Sequence, residues 1–311
     1  MQSTTGSVVQ AVQAIWQDIT PDRILSALSG ESGKQILAAV IAGQLSVAQG
    51  AQSFVAGAML AQGASNSAAA TLIPGQLAGY AADGRSLATL LYLPALTTTT
   101  ALNAGMSPEA ASLRGLYQMA KYVSTTLADT ARTATSVAMT ATPSCVSYVR
   151  VVKLPACSRC IILAGRQYSY STGFKRHPKC DCGMEPMSDS AWKAADSPTS
   201  LYDAMSPEER RKRFGAAGAE ALDNGADLSQ VVNARRGMTT VKAYGRTVRA
   251  TNEGTTRRGI GAKAMDVGYS KHAGSKYART RAPRLLPEEI LSQSSDREHQ
   301  IRLLRRYGYI T

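Results

Sequence analysis

Cys157-Ser-Arg-Cys160 and, sixteen residues on, His177-Pro-Lys-Cys180-Asp-Cys182 form the stretch around which this chain is organised. Four of the five cysteines and one of the three histidines lie inside it. A Cys-x-x-Cys turn sets two sulfurs a few ångströms apart. Thiolate and imidazole are the ligands that tetrahedral Zn2+ prefers, at roughly 2.3 and 2.0–2.1 Å. The second group closes the site across a loop of ordinary zinc-finger length. Cys157, Cys160, His177, Cys180 and Cys182 are therefore five candidates for four positions, and the spacing does not choose among them. The competing readings are a small core of reduced thiols and a disulfide pair; in a reducing cytoplasm, cysteines this close more often hold metal. Four ligands fill a tetrahedral shell, so the expected role is structural.

The same residues test one enzymatic reading. Pro155-Ala-Cys157-Ser-Arg-Cys160 fits half of a zinc deaminase motif, but that chemistry needs an upstream His or Cys two residues before a catalytic Glu. No His precedes His177, and Cys145 is followed by Val146 and Ser147, so the deaminase reading fails.

Outward from the cluster, the pattern predicts a mainly α chain with a small zinc-pinned β element, an α+β class. Ser107-Pro108-Glu109 opens the longest helix, with Leu113, Leu116, Ala120, Leu127, Ala131, Ala134 and Val137 along one face and Pro143 as its stop. Val146–Leu154 alternates as a strand, with Tyr148, Arg150 and Val152 on one side, and delivers the chain into Cys157. Ile161–Leu163 and Gln167–Tyr170 read as further sheet arms about Gly165. Upstream, residues 1–104 form an Ala-rich helical region: a first helix over about 5–18, a second opened by Thr20-Pro21-Asp22, and a third face from Lys34 to Gln62. Pro94 and Thr97–Thr100 end the next helical piece, with Ala101–Met106 as linker before the core of residues 105–200. Residues 201–311 read as short helices with a basic arm: a Ser206-Pro-Glu-Glu209 capping box, a helix from Asp227 to Gly237, an extended or disordered 239–284, and a final helix pair from Pro287.

The order Cys157-x-x-Cys160, Gly165-Arg166-Gln167-Tyr168, His177-Pro178-x-Cys180-x-Cys182 and Pro186 resembles the core signature of the phage Mu F-like minor head proteins. Gly237-Met238 and Glu253-Gly-Thr-Thr-Arg-Arg258-Gly resemble minor head proteins of tailed phages that infect actinobacteria. The resemblance covers about residues 107–186, extends more loosely to about 260 and is absent from the first hundred. It departs at Ala164, where the family often has Asp. It implies a non-enzymatic virion protein inside the capsid near the portal. Its partners would be the portal protein and the major capsid protein or scaffold, with the host cytoplasm as the place of assembly.

Charge adds a partner. The net charge is +13, yet residues 1–144 hold six basic and six acidic side chains. The excess lies beyond, 29 basic against 16 acidic, and peaks between Lys242 and Arg284 at eleven against two. A basic segment beside a neutral one suits an anionic surface, here genomic double-stranded DNA met non-specifically. The contact set is Arg246, Arg249, Arg257, Arg258, Lys263, Lys271, Lys276, Arg279, Arg281 and Arg284. The alternative function is a zinc-stapled nucleic-acid-binding protein; a regulator of that kind wants its reading helix beside the metal, whereas this basic segment lies sixty or more residues away. No Gly-x-Ser-x-Gly or Gly-Lys-Ser/Thr signature appears, and His272 in Ser270-Lys-His-Ala reads as a solvated residue. The apolar run 36–62 is broken by Gln44, Gln49 and Gln52, so no membrane partner is expected.

Overall fold

A computed structural model describes residues 2–174, 177, 180, 182–188, 196–243, 245–253, 269–270 and 279–310. These form two compact units, one from residues 1–151 and 166–194 and one from residues 152–165 and 195–311.

The first unit is built on amphipathic helices: α1 (Gln2–Gln17), α2 (Ile24–Ser29), α3 (Glu31–Gln49), α4 (Ala51–Ala61), α5 (Leu87–Asn103) and α6 (Pro108–Ala141). Ser107 caps α6 by accepting the Ala110 amide at 3.3 Å, and Pro108 occupies the first turn, where its missing N–H costs nothing. At 1.5 Å per residue α6 is about 50 Å long. Its apolar face packs against α1, α3, α4 and α5. Met119, Val123 and Leu127 there share a core with Trp16, Ile36, Val40, Leu87 and Leu91. Where helices cross closely, small residues sit between them. A Cβ on Gly115 of α6 would lie 2.0 Å from Thr98 Oγ1 and 2.8 Å from Trp16 Cζ2. Gln44 is wholly buried on α3; its amide donates to Tyr80 O and Thr130 Oγ1 and accepts from the Gly79 amide.

One expectation fails here. Neither Pro94 nor Thr97–Thr100 ends a helix, and residues 101–103 are not linker, because α5 runs unbroken from Leu87 to Asn103 with Pro94 inside. Proline in a helix interior forfeits a hydrogen bond. The continuous buried face of Leu87, Leu90, Leu91, Pro94, Ala95, Thr98 and Ala101 outweighs that loss, and Thr98 Oγ1 donates to the Pro94 carbonyl.

After α6 the chain enters a three-stranded antiparallel sheet in the order β2-β1-β3, with β1 Ser147–Val151, β2 Gln167–Ser169 and β3 Gly183–Met187. The central strand β1 pairs Tyr148 with Tyr168 on one side and Arg150 with Met184 on the other. Gln62, just beyond α4, donates to Pro186 O at 2.8 Å and accepts from the Ser188 amide at 2.9 Å.

The second unit contains α7 (Ser158–Ile161), α8 (Pro198–Asp203), α9 (Pro207–Phe214), α10 (Ala216–Asp223) and α11 (Leu228–Ala234). The Ser206/Glu209 capping box forms as the sequence predicts, and Asp227 caps α11. Ile161–Leu163 are not a sheet arm: Ile161 ends α7, and the Ile162 and Leu163 amides bond back to Ser158 O and Cys160 O in the turn that follows. The larger correction concerns 239–284. Its described residues are largely paired, in an antiparallel sheet β4-β5-β7-β6 made of Met238–Ala243, Arg246–Glu253, Arg279–Leu285 and Tyr269–Ser270. Val248 and Ala250 of β5 are buried in the same unit as Val231, Leu286, Ile290, Leu304 and Tyr309. The closing helices α12 (Pro287–Gln293) and α13 (Arg297–Arg306) follow. Among the described residues no helix is long and apolar enough to cross a membrane.

Candidate metal centre

Backbone geometry aims the ligands. Cys157, in extended conformation, precedes α7, and the turn from Cys157 O to Cys160 N (2.9 Å) brings the second sulfur round to the first. On the other arm the Cys180 amide donates to His177 O at 3.1 Å, and the residue after Cys182 opens β3. All five predicted ligands come together, in two groups that share Cys160. One is Cys157, Cys160 and His177; the other is Cys160, Cys180 and Cys182. Within each group the ligand atoms all lie within 4.8 Å of one another. Four thiolates on one zinc would stand about 3.8 Å apart, so this spread is that of a ligand set rather than of scattered thiols. Cys160, Cys180 and Cys182 are buried, while Cys157 and His177 are half-buried. The chemistry is that of a site that can hold a metal ion. Cys145 belongs to neither group; its thiol is directed at Ser147 O, and burial pushes its pKa up.

Two buried arginines that the sequence reading did not single out as functional support the Cys180–Cys182 arm. Arg132 of α6 donates from Nε to Cys182 O at 2.8 Å and from Nη2 to Cys180 O, and is ion-paired with Asp129 at 3.0 Å. Arg150 of β1 directs Nη2 at Cys182 Sγ (3.4 Å) and Cys180 Sγ (3.8 Å), with its guanidinium carbon 4.3 Å from the centre of the Phe174 ring. Phe174 completes an aromatic group with Tyr148 and Tyr168, whose rings stack at 5.3 Å. Burial pushes the Tyr148 phenol up to about 12. One signal was available: Arg150 alternates in phase with Tyr148, so a charged side chain shares a strand face with an aromatic one.

The predicted anion contacts fare differently. Arg246 and Arg249 are exposed on β5, but both lie against Glu289, at 3.6 and 3.5 Å. Arg279 and Arg281 fall on β7; Arg257, Arg258, Lys263, Lys271 and Lys276 lie outside the described residues, as does His272. Arg284 leaves the contact set. It is 2 % exposed, donates to Gln230 Oε1 and Tyr307 O, and stacks on Tyr309, so its charge is spent inside the unit.

A family model described as VG15 protein matches residues 2–207. That span holds the helical unit, all five ligands and both supporting arginines, and stops short of the basic sheet. No curated protein and no solved structure matches the chain.

Proposed function

The chain belongs to the VG15 protein family, a family of phage gene products, and from that membership together with its ligand cluster we propose that it is a structural minor head protein of the Mu F-like kind. The observation that carries the reading is the gathering of Cys157, Cys160, His177, Cys180 and Cys182, since their order along the chain is the part of the motif that required a site. The metal in this reading is Zn2+, bound by four of the five. Cysteine and histidine at tetrahedral spacing are its preferred ligands, and a filled shell leaves no position for substrate. Bound metal would staple a region with few large apolar side chains, and its binding energy would then be folding energy.

In this reading the protein sits inside the head near the portal, after assembly in the host cytoplasm with portal, scaffold or major capsid protein. It has no catalytic role. The basic excess after residue 144 meets packaged duplex through phosphates, without sequence preference. Acid pairing of Arg246 and Arg249 favours this weak, non-specific contact over the alternative of a dedicated nucleic-acid-binding protein. Quantitative mass spectrometry of gradient-purified heads tests the reading. The protein should be present in heads and co-sediment with portal, and purified chain should bind duplex with log affinity falling by about 0.9 per phosphate contact per unit of log salt. Absence from heads while abundant in the lysate overturns the structural role; duplex binding indifferent to salt, or none, removes DNA as a partner.

A further inference from the structure

We infer that Arg150 is a positioning residue for the metal, a donor to thiolate sulfur that commits both Cys180 and Cys182 to the ligand set. The inference rests on the metal reading above and deepens it, because the spacing alone leaves the choice between these two cysteines open.

Arg150 is firmly placed. It lies on the central strand of the small sheet, paired with Met184 on β3, and its backbone amide donates to Arg166 O at 2.9 Å. Its side chain is 2 % exposed, with the guanidinium over Phe174. A buried cation is costly to desolvate and persists where anionic or strongly accepting groups surround it. Nη2 faces two sulfurs, Cys182 Sγ at 3.4 Å and Cys180 Sγ at 3.8 Å. Sulfur is a weak acceptor as a thiol, but a metal-bound thiolate keeps excess negative charge and accepts a charge-assisted bond. Zinc with three thiolates and an imidazole carries a net charge of −1, and with four thiolates −2. A buried guanidinium beside the sulfurs offsets that excess.

The two arginines divide the work. Arg132 fixes the carbonyls of Cys180 and Cys182. Arg150 fixes the sulfurs. Groups that orient ligands from outside the coordination shell are typically worth ten- to a hundredfold in metal affinity. Arg is suited to this in a way Lys is not, since its planar fork holds one geometry while an ammonium is a mobile point charge.

The test uses the full chain and Co2+ alone as the probe, on wild type, Arg150→Met and Arg150→Lys. Affinity is read by competition with a chelator, release by the rate of transfer to it, and coordination by the sulfur-to-cobalt charge-transfer band. Wild type should take up about one equivalent. Arg150→Met should bind about 10- to 100-fold more weakly and release faster. Its charge-transfer band should shift, with helix content unchanged by circular dichroism. Arg150→Lys should recover part of the affinity and not the band position. A merely structural arginine would change folding without moving the band. Wild-type affinity, release and band position in both variants overturn the inference and leave the metal reading standing. If wild type takes up no metal, the two fall together. Should Arg150→Met fail to fold, the lysine variant decides: slower-than-wild-type or equal release with an unmoved band refutes, and faster release with a shifted band supports.

Discussion

Substituting Gly115 by alanine puts a number on how closely the helices of the first unit pack. In an exposed helix the change stabilises by about 1 kcal/mol, because glycine loses more backbone entropy on folding. At Gly115 the new Cβ would meet Thr98 Oγ1 at 2.0 Å, Trp16 Cζ2 at 2.8 Å and the Pro94 carbonyl oxygen at 3.1 Å. None of these can yield cheaply. Trp16 is anchored in the core with its Nε1 on Ser112 Oγ, and Pro94 O is backbone. Thr98 can rotate only by giving up its 3.1 Å bond to Pro94 O, worth about 1 kcal/mol. Overpacking of this kind costs about 1–3 kcal/mol, and since the lost bond and the helix gain roughly cancel, the net is about 1–3 kcal/mol of destabilisation. Gly57 on α4 is the internal control, since nothing lies within 4 Å of its added Cβ. There the same substitution should stabilise by up to about 1 kcal/mol. Urea unfolding followed by circular dichroism measures both. The midpoints should move in opposite directions, and Thr98→Ala should restore part of the Gly115→Ala loss. A Gly115→Ala protein as stable as wild type would refute the packing argument.

Cys160 belongs to both ligand groups and Cys145 to neither. Cys160→Ser should therefore abolish stoichiometric metal by elemental analysis while Cys145→Ser retains it, and equal retention would reduce the cluster to packing. Alkaline pH should destabilise the second unit through Tyr309, whose phenol burial pushes up to about 12 and whose hydroxyl donates to Leu285 O. Its folded value is raised above the unfolded value of about 10, so the contribution is complete below about pH 10 and lost as pH rises through about 12. Tyr309→Phe should flatten that loss in pH-dependent unfolding, and an unchanged slope would refute the assignment. Tyr148 responds in the same sense in the first unit, so the comparison is with the variant rather than with a pH-independent baseline.

Local chemistry was the legible part of this fold. Ser107, Ser206 and Asp227 announce helix starts because a short polar side chain next to an amphipathic run has one cheap use, and all three accept the expected amide. The ligand cluster was legible for a related reason: five soft donors so close in sequence need little folding to meet. Most of what failed depended on distant partners. Pro94 looks like a helix stop until the buried face it belongs to is known. The β4–β5 hairpin carried its own period-two signal in Val241, Val248 and Ala250, with Gly245 at φ 72 where a tight turn needs it, but the density of positive charge masked the alternation. Arg132, Arg150 and Arg284 show the same limit. A lone arginine in a sequence reads as surface, and only tertiary structure supplies the sulfurs, carbonyls and ring that let it be buried.

The contact of Gln62 with β3 bears on how the protein behaves at high local concentration. β3 is an outer strand, and such a strand ordinarily exposes a row of unused amides and carbonyls that can template pairing with another chain. The primary amide of Gln62 has the donor and acceptor of a peptide group and offers both, to Pro186 O and to the Ser188 amide, where a neighbouring strand would otherwise have bonded. Pro186 itself has no N–H to offer. One glutamine thus impersonates the next strand: among the described residues the sheet ends at β3, where a side chain of the same molecule takes the bonds a fourth strand would use.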